Sequence, residues 1–160
     1  GLFMDQRENR FDLRRWCESR KERPQLLNLF AYTGSLSVAA AAGGAITTSV
    51  DLSKKYLDWA RENFAANRLD PEEHDFIYGD AFDWLKRLRK KGRKFDAILI
   101  DPPTFSTNRD GRVFKADRHY TELVELALGV AADKALLFCS TNMATLPTAD
   151  FRKSLALALQ

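Results

Sequence analysis

Cysteine, histidine and long apolar runs are all scarce in this chain, and each scarcity removes a class of function. Two cysteines and two histidines occur in 160 residues. Cys17 and Cys139 form no Cys-x-x-Cys pair and have no histidine clustered beside them, so a disulfide framework has no basis and no metal site is expected. Both read as ordinary thiols. No apolar stretch approaches the roughly 20 residues that cross a bilayer, and residues 1–10 are rich in charged and amide side chains. Neither a membrane helix nor a signal peptide is therefore expected, and a cytoplasmic protein with no membrane partner is the default. Glycine is sparse where it matters: Gly34 is followed next by Gly43, so there is no G-x-G-x-x-G. That gap disfavours a pyrophosphate-binding dinucleotide site.

What is present fits one globular domain with a full core, since hydrophobic residues make up 45% of the chain and charged residues 29%. The net charge of +3 is unevenly spread: residues 7–23 hold seven basic and four acidic side chains, and residues 86–94 hold seven basic and no acidic ones. The second run suits either phosphate tracking or, preferably, the solvated end of a helix whose cations favour the C-terminal dipole. In the first, arginines alternate with Phe11 and Trp16.

From Gln25 onward, short apolar runs alternate with longer amphipathic stretches, the pattern of βαβ units in a parallel sheet. Strands are expected near residues 26–30, 46–50, 76–78, 95–100 and 135–139, and helices near 10–20, 35–42, 54–67, 81–90 and 117–131, with another opening near Thr148. Gly43-Gly44, Asp70-Pro71 and Gly92 punctuate the helix ends, and residues 107–111 read as a mobile polar loop.

Chemistry-bearing residues gather at the carboxyl ends of these strands. Asp101-Pro102-Pro103-Thr104-Phe105 follows the fourth; two prolines hold that loop extended, with carbonyls turned outward as acceptors, a rim suited to a flat polar base. Asn28-Leu29-Phe30-Ala31-Tyr32-Thr33-Gly34-Ser35 follows the first, with Gly34 allowing close approach of a ligand to backbone. Asp51 ends the second strand, where a carboxylate either accepts bonds from vicinal ribose hydroxyls or caps the next helix. Asp80, after the third, is open to the same two readings, receiving the exocyclic amine of adenine or capping a helix, with Phe82 packed on the ring. Their convergence on one sheet edge is the strong signal.

These residues resemble class I S-adenosylmethionine-dependent methyltransferases. More narrowly, Asp5-Gln6-Arg7, the 27–35 segment, Val50-Asp51-Leu52-Ser53 with Tyr56-Leu57-Asp58-Trp59-Ala60, and Asp101-Pro102-Pro103-Thr104-Phe105-Ser106 look like bacterial 23S rRNA methyltransferases. The guanine-N7 domain of the RlmK/RlmL type is nearest and the cytosine-C5 enzymes of the RlmI type are next. The resemblance covers essentially the whole chain. It implies an α/β, Rossmann-like three-layer sandwich with a mostly parallel sheet that lacks the last two strands of the complete fold. Residues 1–24 would be a leading motif and helix, and 25–160 a C-terminally incomplete S-adenosylmethionine-binding domain. It implies further that Phe30, Tyr32, Thr33, Gly34 and Ser35 surround the methionine part of the cofactor, Asp51 with Leu52 and Ser53 the ribose, and Asp80, Ala81 and Phe82 the adenine. Gln6 would pack beside the cofactor, and Asp101, Pro102, Pro103 and Phe105 would face the methyl and the target base, with Phe105 stacking on it. The partner would be 23S rRNA before full ribosome assembly, with an RNA-reading module upstream.

Guanine N7 carries a free lone pair and needs no general base, whereas cytosine C5 must first be activated by a cysteine thiolate. In the cytosine-C5 relatives that cysteine follows the fifth strand. Here Phe138-Cys139-Ser140-Thr141-Asn142 puts Ser140 at its place and Cys139 one residue early, and a one-residue slip in a strand reverses the face. Guanine N7 is therefore preferred. The alternatives are a cytosine-C5 enzyme, a cofactor- or RNA-binding fragment without turnover, and a nicotinamide oxidoreductase. His74 and His119 read as surface residues, and Trp59, Trp84 and Phe64 as core.

Overall fold

The computed structural model describes the backbone of residues 6–103, 105–107, 113–141 and 148–158, and the side chains of 6–103, 119–141, 149–153, 155 and 156. In chain order the elements are α1 (Arg7–Glu18), β1 (Gln25–Leu29), α2 (Ser35–Ala42), β2 (Ile46–Asp51), α3 (Lys54–Ala66), a short 3₁₀ turn, β3 (Asp75–Tyr78), α4 (Ala81–Lys90), β4 (Phe95–Ile100), β5 (Phe105–Thr107), β6 (Val113–Lys115), α5 (Ala116–Leu128), β7 (Ala131–Cys139) and α6 (Thr148–Ala158). Five strands pair in parallel in the order β3-β2-β1-β4-β7. The chain moves outward from β1 to β2 and β3, then returns to the other side of β1 with β4. That reversal opens a crevice at the carboxyl ends of β1 and β4.

Strand periodicity separates two cores. Leu26, Ala97, Leu99, Leu136 and Phe138 point to one face and pack with Leu13 and Cys17 of α1 and Leu36 and Ala40 of α2. Their alternates Leu27, Leu29, Ile98, Ile100, Leu137 and Cys139 point to the other, against Phe82, Leu85 and Leu88 of α4, Leu123 and Val124 of α5, and Leu155 of α6. The result is the expected three-layer α/β sandwich. Under α2 the core is polar: buried Asn28 donates to Ser37 Oγ at 2.8 Å, and Ser37 shares a 2.8 Å hydrogen bond with Ser49. This chain ties α2 to β1 and β2 without leaving a buried polar atom unpaired.

Several expectations shift. The leading helix starts at Arg7 rather than residue 10, and α5 ends at Leu128 rather than 131, where Gly129 and Val130 turn the chain into β7. β7 begins early because a bulge, with Lys134 at φ 58°, absorbs the polar Asp133-Lys134 pair. The expected mobile loop near 107–111 is flanked by an antiparallel hairpin, β5 with β6; residues 108–112 lie outside the described residues. The 86–94 run behaves as a helix end: Arg87, Arg89 and Lys90 fill the last turn of α4, Arg93 meets Asp75 at 3.4 Å, and Lys94 bonds the Gly129 carbonyl.

Two side chains stand where they were not expected. Trp59 is 41% exposed, because the buried stripe of α3 runs through Leu57, Ala60 and Phe64 and position 59 falls off it. His74 is half-buried: its Nδ1 accepts from the Thr47 N–H at 3.1 Å, and its ring meets Phe64 edge-on at 4.8 Å. Burial lowers the His74 pKa below its ordinary 6.5. The unfolded chain therefore binds the extra proton first as pH falls through about 6.5 and below. Stability held above that value should decline in this window by urea titration, and His74→Gln should flatten the decline.

Gly43 has an ordinary φ of −87° but no room: an added Cβ would lie 2.5 Å from the Arg14 carbonyl oxygen and 2.8 Å from Cys17 Cβ. It is the point where α1 crosses the end of α2. Gly43→Ala should push α1 away and lower stability by about 1–3 kcal/mol, measured by chemical denaturation.

Candidate active site

At the carboxyl end of β1 the chain makes a turn that few side chains tolerate. Phe30 (φ 60°), Tyr32 (φ 52°) and Gly34 (φ 74°) are all left-handed; for the two aromatic residues this costs about 1–2 kcal/mol each. Gly34 has no substitute here, since a Cβ would also sit 2.9 Å from Ala60 Cβ. α2 starts directly behind it with no side-chain cap, which turns the positive end of the helix toward the crevice.

Asp51 holds this turn in place. Its Oδ2 accepts the Tyr32 N–H at 2.8 Å and its Oδ1 accepts the Ser53 N–H at 2.8 Å. One carboxylate thus joins the β1 turn to the entry of α3. Ser53, not Asp51, is the N-cap of α3, accepting from Tyr56 N–H. Burial raises the Asp51 pKa, and the N–H groups of Tyr32 and Ser53 oppose the rise. Asp51 remains half-buried with acceptor capacity directed at the crevice, while Leu52 and Ser53 line its exit.

Asp80 caps α4, its Oδ1 accepting from Phe82 N–H at 3.0 Å and Asp83 N–H at 3.2 Å. Ala81 and Phe82 are buried, and the Phe82 ring, 6% exposed, belongs to the core under α4 rather than to the crevice rim. Asp101 at the end of β4 is clasped from two sides. Ser140 Oγ donates to its Oδ1, and Gln6 Nε2, from the entry of α1, donates to its Oδ2 at 3.5 Å. Pro102 is buried and Pro103 exposed beside it. Asp5, Thr104 and the side chain of Phe105 lie outside the described residues.

Tyr120 and Ser140 join this site without having been read as part of it. The Tyr120 hydroxyl reaches the carbonyls of Ile100 at 3.0 Å and Ser140 at 2.9 Å, bridging the ends of β4 and β7. Burial raises its pKa strongly. The sequence signal was faint, a tyrosine on the apolar stripe of α5 whose hydroxyl needs a partner once buried. Cys139 points to the opposite face, packed against the α4–α5 core, and burial pushes its thiol up to about 11. It is protonated near neutral pH. Among the described residues no group of three metal-ligating side chains forms, and no helix is long and apolar enough to cross a membrane.

Known proteins share this arrangement. The chain is 44% identical over 144 residues to a ribosomal RNA large subunit methyltransferase K/L of Chromohalobacter salexigens, covering 89% of the chain and 19% of that protein. Its structure matches an S-adenosylmethionine-dependent methyltransferase from Agrobacterium tumefaciens with a TM-score of 0.93 at 30% identity, over 100% of this chain and 52% of that one. It matches a methyltransferase complexed with S-adenosylhomocysteine with a TM-score of 0.90 at 36% identity, over 99% and 41%. The chain thus spans about a fifth to a half of the length of these relatives. A family model for S-adenosylmethionine-dependent methyltransferases covers residues 1–153, and the chain belongs to that family.

Proposed function

We propose that this chain forms the S-adenosylmethionine site of an enzyme that methylates a base of 23S rRNA, with guanine N7 as the target atom. The observation that carries the cofactor assignment is the Asp51 carboxylate fixed by two backbone N–H groups beside the left-handed 30–34 turn. Its remaining acceptor capacity suits a ribose diol. The uncapped start of α2 behind Thr33, Gly34 and Ser35 suits the methionine carboxylate, with Phe30 and Tyr32 alongside. Asp80 and the backbone at Ala81 would border the adenine, and Gln6 would close the site beside Asp101.

When bound, the cofactor supplies an electrophilic methyl on a sulfonium, transferred by in-line displacement with the C–S electron pair leaving on sulfur. The protein's part is positioning and electrostatics. Asp101, oriented by Ser140 and Gln6, supplies a fixed negative charge where a cationic N7-methylguanine develops. Pro102 and Pro103 hold the rim on which the base rests, and Phe105 would stack on it. No proton need be removed from N7. The relatives' naming as large-subunit rRNA methyltransferases supports the rRNA substrate, and the position of Cys139 supports N7 over C5. Its thiol is protonated and faces the core, while Ser140 meets Asp101. A nucleophile for cytosine would need the opposite of each.

Calorimetric titration should give heat with S-adenosylmethionine and none with NAD. Asp51→Ala should weaken that binding at least about 100-fold, as loss of charge-assisted hydrogen bonds worth about 1.5–3 kcal/mol each implies. Binding of NAD instead would sink the assignment. In the full-length protein, Cys139→Ser should keep methyl transfer within about twofold of wild type, and its abolition in a folded variant would revive the cytosine reading. Mass spectrometry of rRNA from a strain lacking the gene should show a missing N7-methylguanosine; a missing 5-methylcytosine would overturn the target atom.

A further inference from the structure

α1, α2 and α3 lie side by side on one face of the sheet and enclose a cavity of about 630 Å³ that none of the strand-end carboxylates borders. Its floor is the outer side of α2, with Val38 and Ala39, opposite the side that buries Leu36 and Ala40. One wall is Arg10, Phe11 and Arg14 of α1; the other is Trp59 with Asn63 of α3. Among the described residues, Phe11 at 61% and Trp59 at 41% are the large apolar side chains left exposed, and both line this one cavity. Rings left in water at a single concave place mark a site of contact.

The chemistry of the walls selects the occupant. The charged side chains that line the cavity are both arginines, with no carboxylate among the lining residues. Arg14 is engaged by Glu18 at 2.8 Å, but both side chains are about half exposed, so that pair is weak and exchangeable for a phosphate. The Asn63 amide nitrogen donates to the Thr33 carbonyl and that of Asn67 to the Asn63 carbonyl. These amides are committed to backbone, which suits stacking and phosphate contact over base-edge readout. Flat aromatic faces beside guanidinium groups fit single-stranded RNA. A second copy of the chain would fit poorly, because two-fold symmetry would set the same arginines against each other. The groove also leads into the candidate active site, since Thr33 and Ser35 of the 30–34 turn form its upper end. α2, with eight residues, is about 12 Å long, room for about three bases stacked at about 3.4 Å.

We propose that this groove is a second RNA site, which holds a single-stranded stretch flanking the target base, with Phe11 and Trp59 as stacking platforms and Arg10 and Arg14 on phosphates. The proposal rests on the reading of the substrate as RNA.

The test uses the full-length protein and an rRNA fragment carrying 4-thiouridine beside the target base. Cross-links should map to peptides containing Phe11 and Trp59. Phe11→Ala and Trp59→Ala should each raise the KM for RNA about tenfold, with the Kd for S-adenosylmethionine unchanged and Trp59→Tyr close to wild type. Arg10→Gln with Arg14→Gln should flatten the salt dependence of RNA binding by about one unit of log–log slope. Wild-type transfer to RNA with all variants unchanged and cross-links elsewhere would overturn the groove alone. An absence of transfer to any RNA would overturn the substrate reading and the groove with it. Variants that change the oligomeric state and not the RNA KM would show a protein interface and count against the proposal.

Discussion

The Asp51 carboxylate accepts one N–H from Tyr32 and one from Ser53, and the geometry of the candidate site follows from that pair of bonds. Tyr32 and Phe30 occupy left-handed backbone that a free chain would leave within moments. Two charge-assisted bonds and the Ala31 N–H on the Val50 carbonyl hold them there. Once the turn is set, α2 must begin at Gly34, with its positive end aimed into the crevice. The raised pKa of Asp51 records the cost of burying a charge for this purpose.

The opposite side of the crevice is built by a different device. Asp101 has no backbone turn to brace, and its orientation comes from side chains on distant segments, Gln6 at the start of α1 and Ser140 after β7. Tyr120 locks the ends of β4 and β7 together below it. The cofactor side is therefore a local construction around β1 and β2, whereas the substrate side is assembled from residues more than ninety positions apart in one case. A change in α1 or β7 would reach Asp101 before it reached Asp51.

Much of the fold was legible because the signals were local. α2 and α4 occupy the residues expected for them, since Gly34 and Asp80 mark their starts and Gly43 and Gly92 bracket their ends. β4 reads directly as Phe95-Asp96-Ala97-Ile98-Leu99-Ile100, an apolar run buried from both sides. The slip between Cys139 and Ser140 was legible for the same reason, because strand parity alone sends neighbours to opposite faces. The double identity of Asp80, ligand acid or cap, could not be separated, because one side chain at a strand end serves either use; its cap bonds are now visible.

By itself, then, the chain's pattern of apolar runs, glycines and strand-end acids determined a parallel sheet with Gly34, Asp51, Asp80 and Asp101 along one edge, since period and punctuation are properties of neighbouring residues. Only the tertiary structure decided that Trp59 stands beside Phe11, Arg10 and Arg14 in one cavity, that His74 accepts from Thr47, and that the Phe82 ring turns into the core. Each of those depends on which helix face meets which neighbour. That choice is made by packing between segments far apart in sequence, where no local signal reaches.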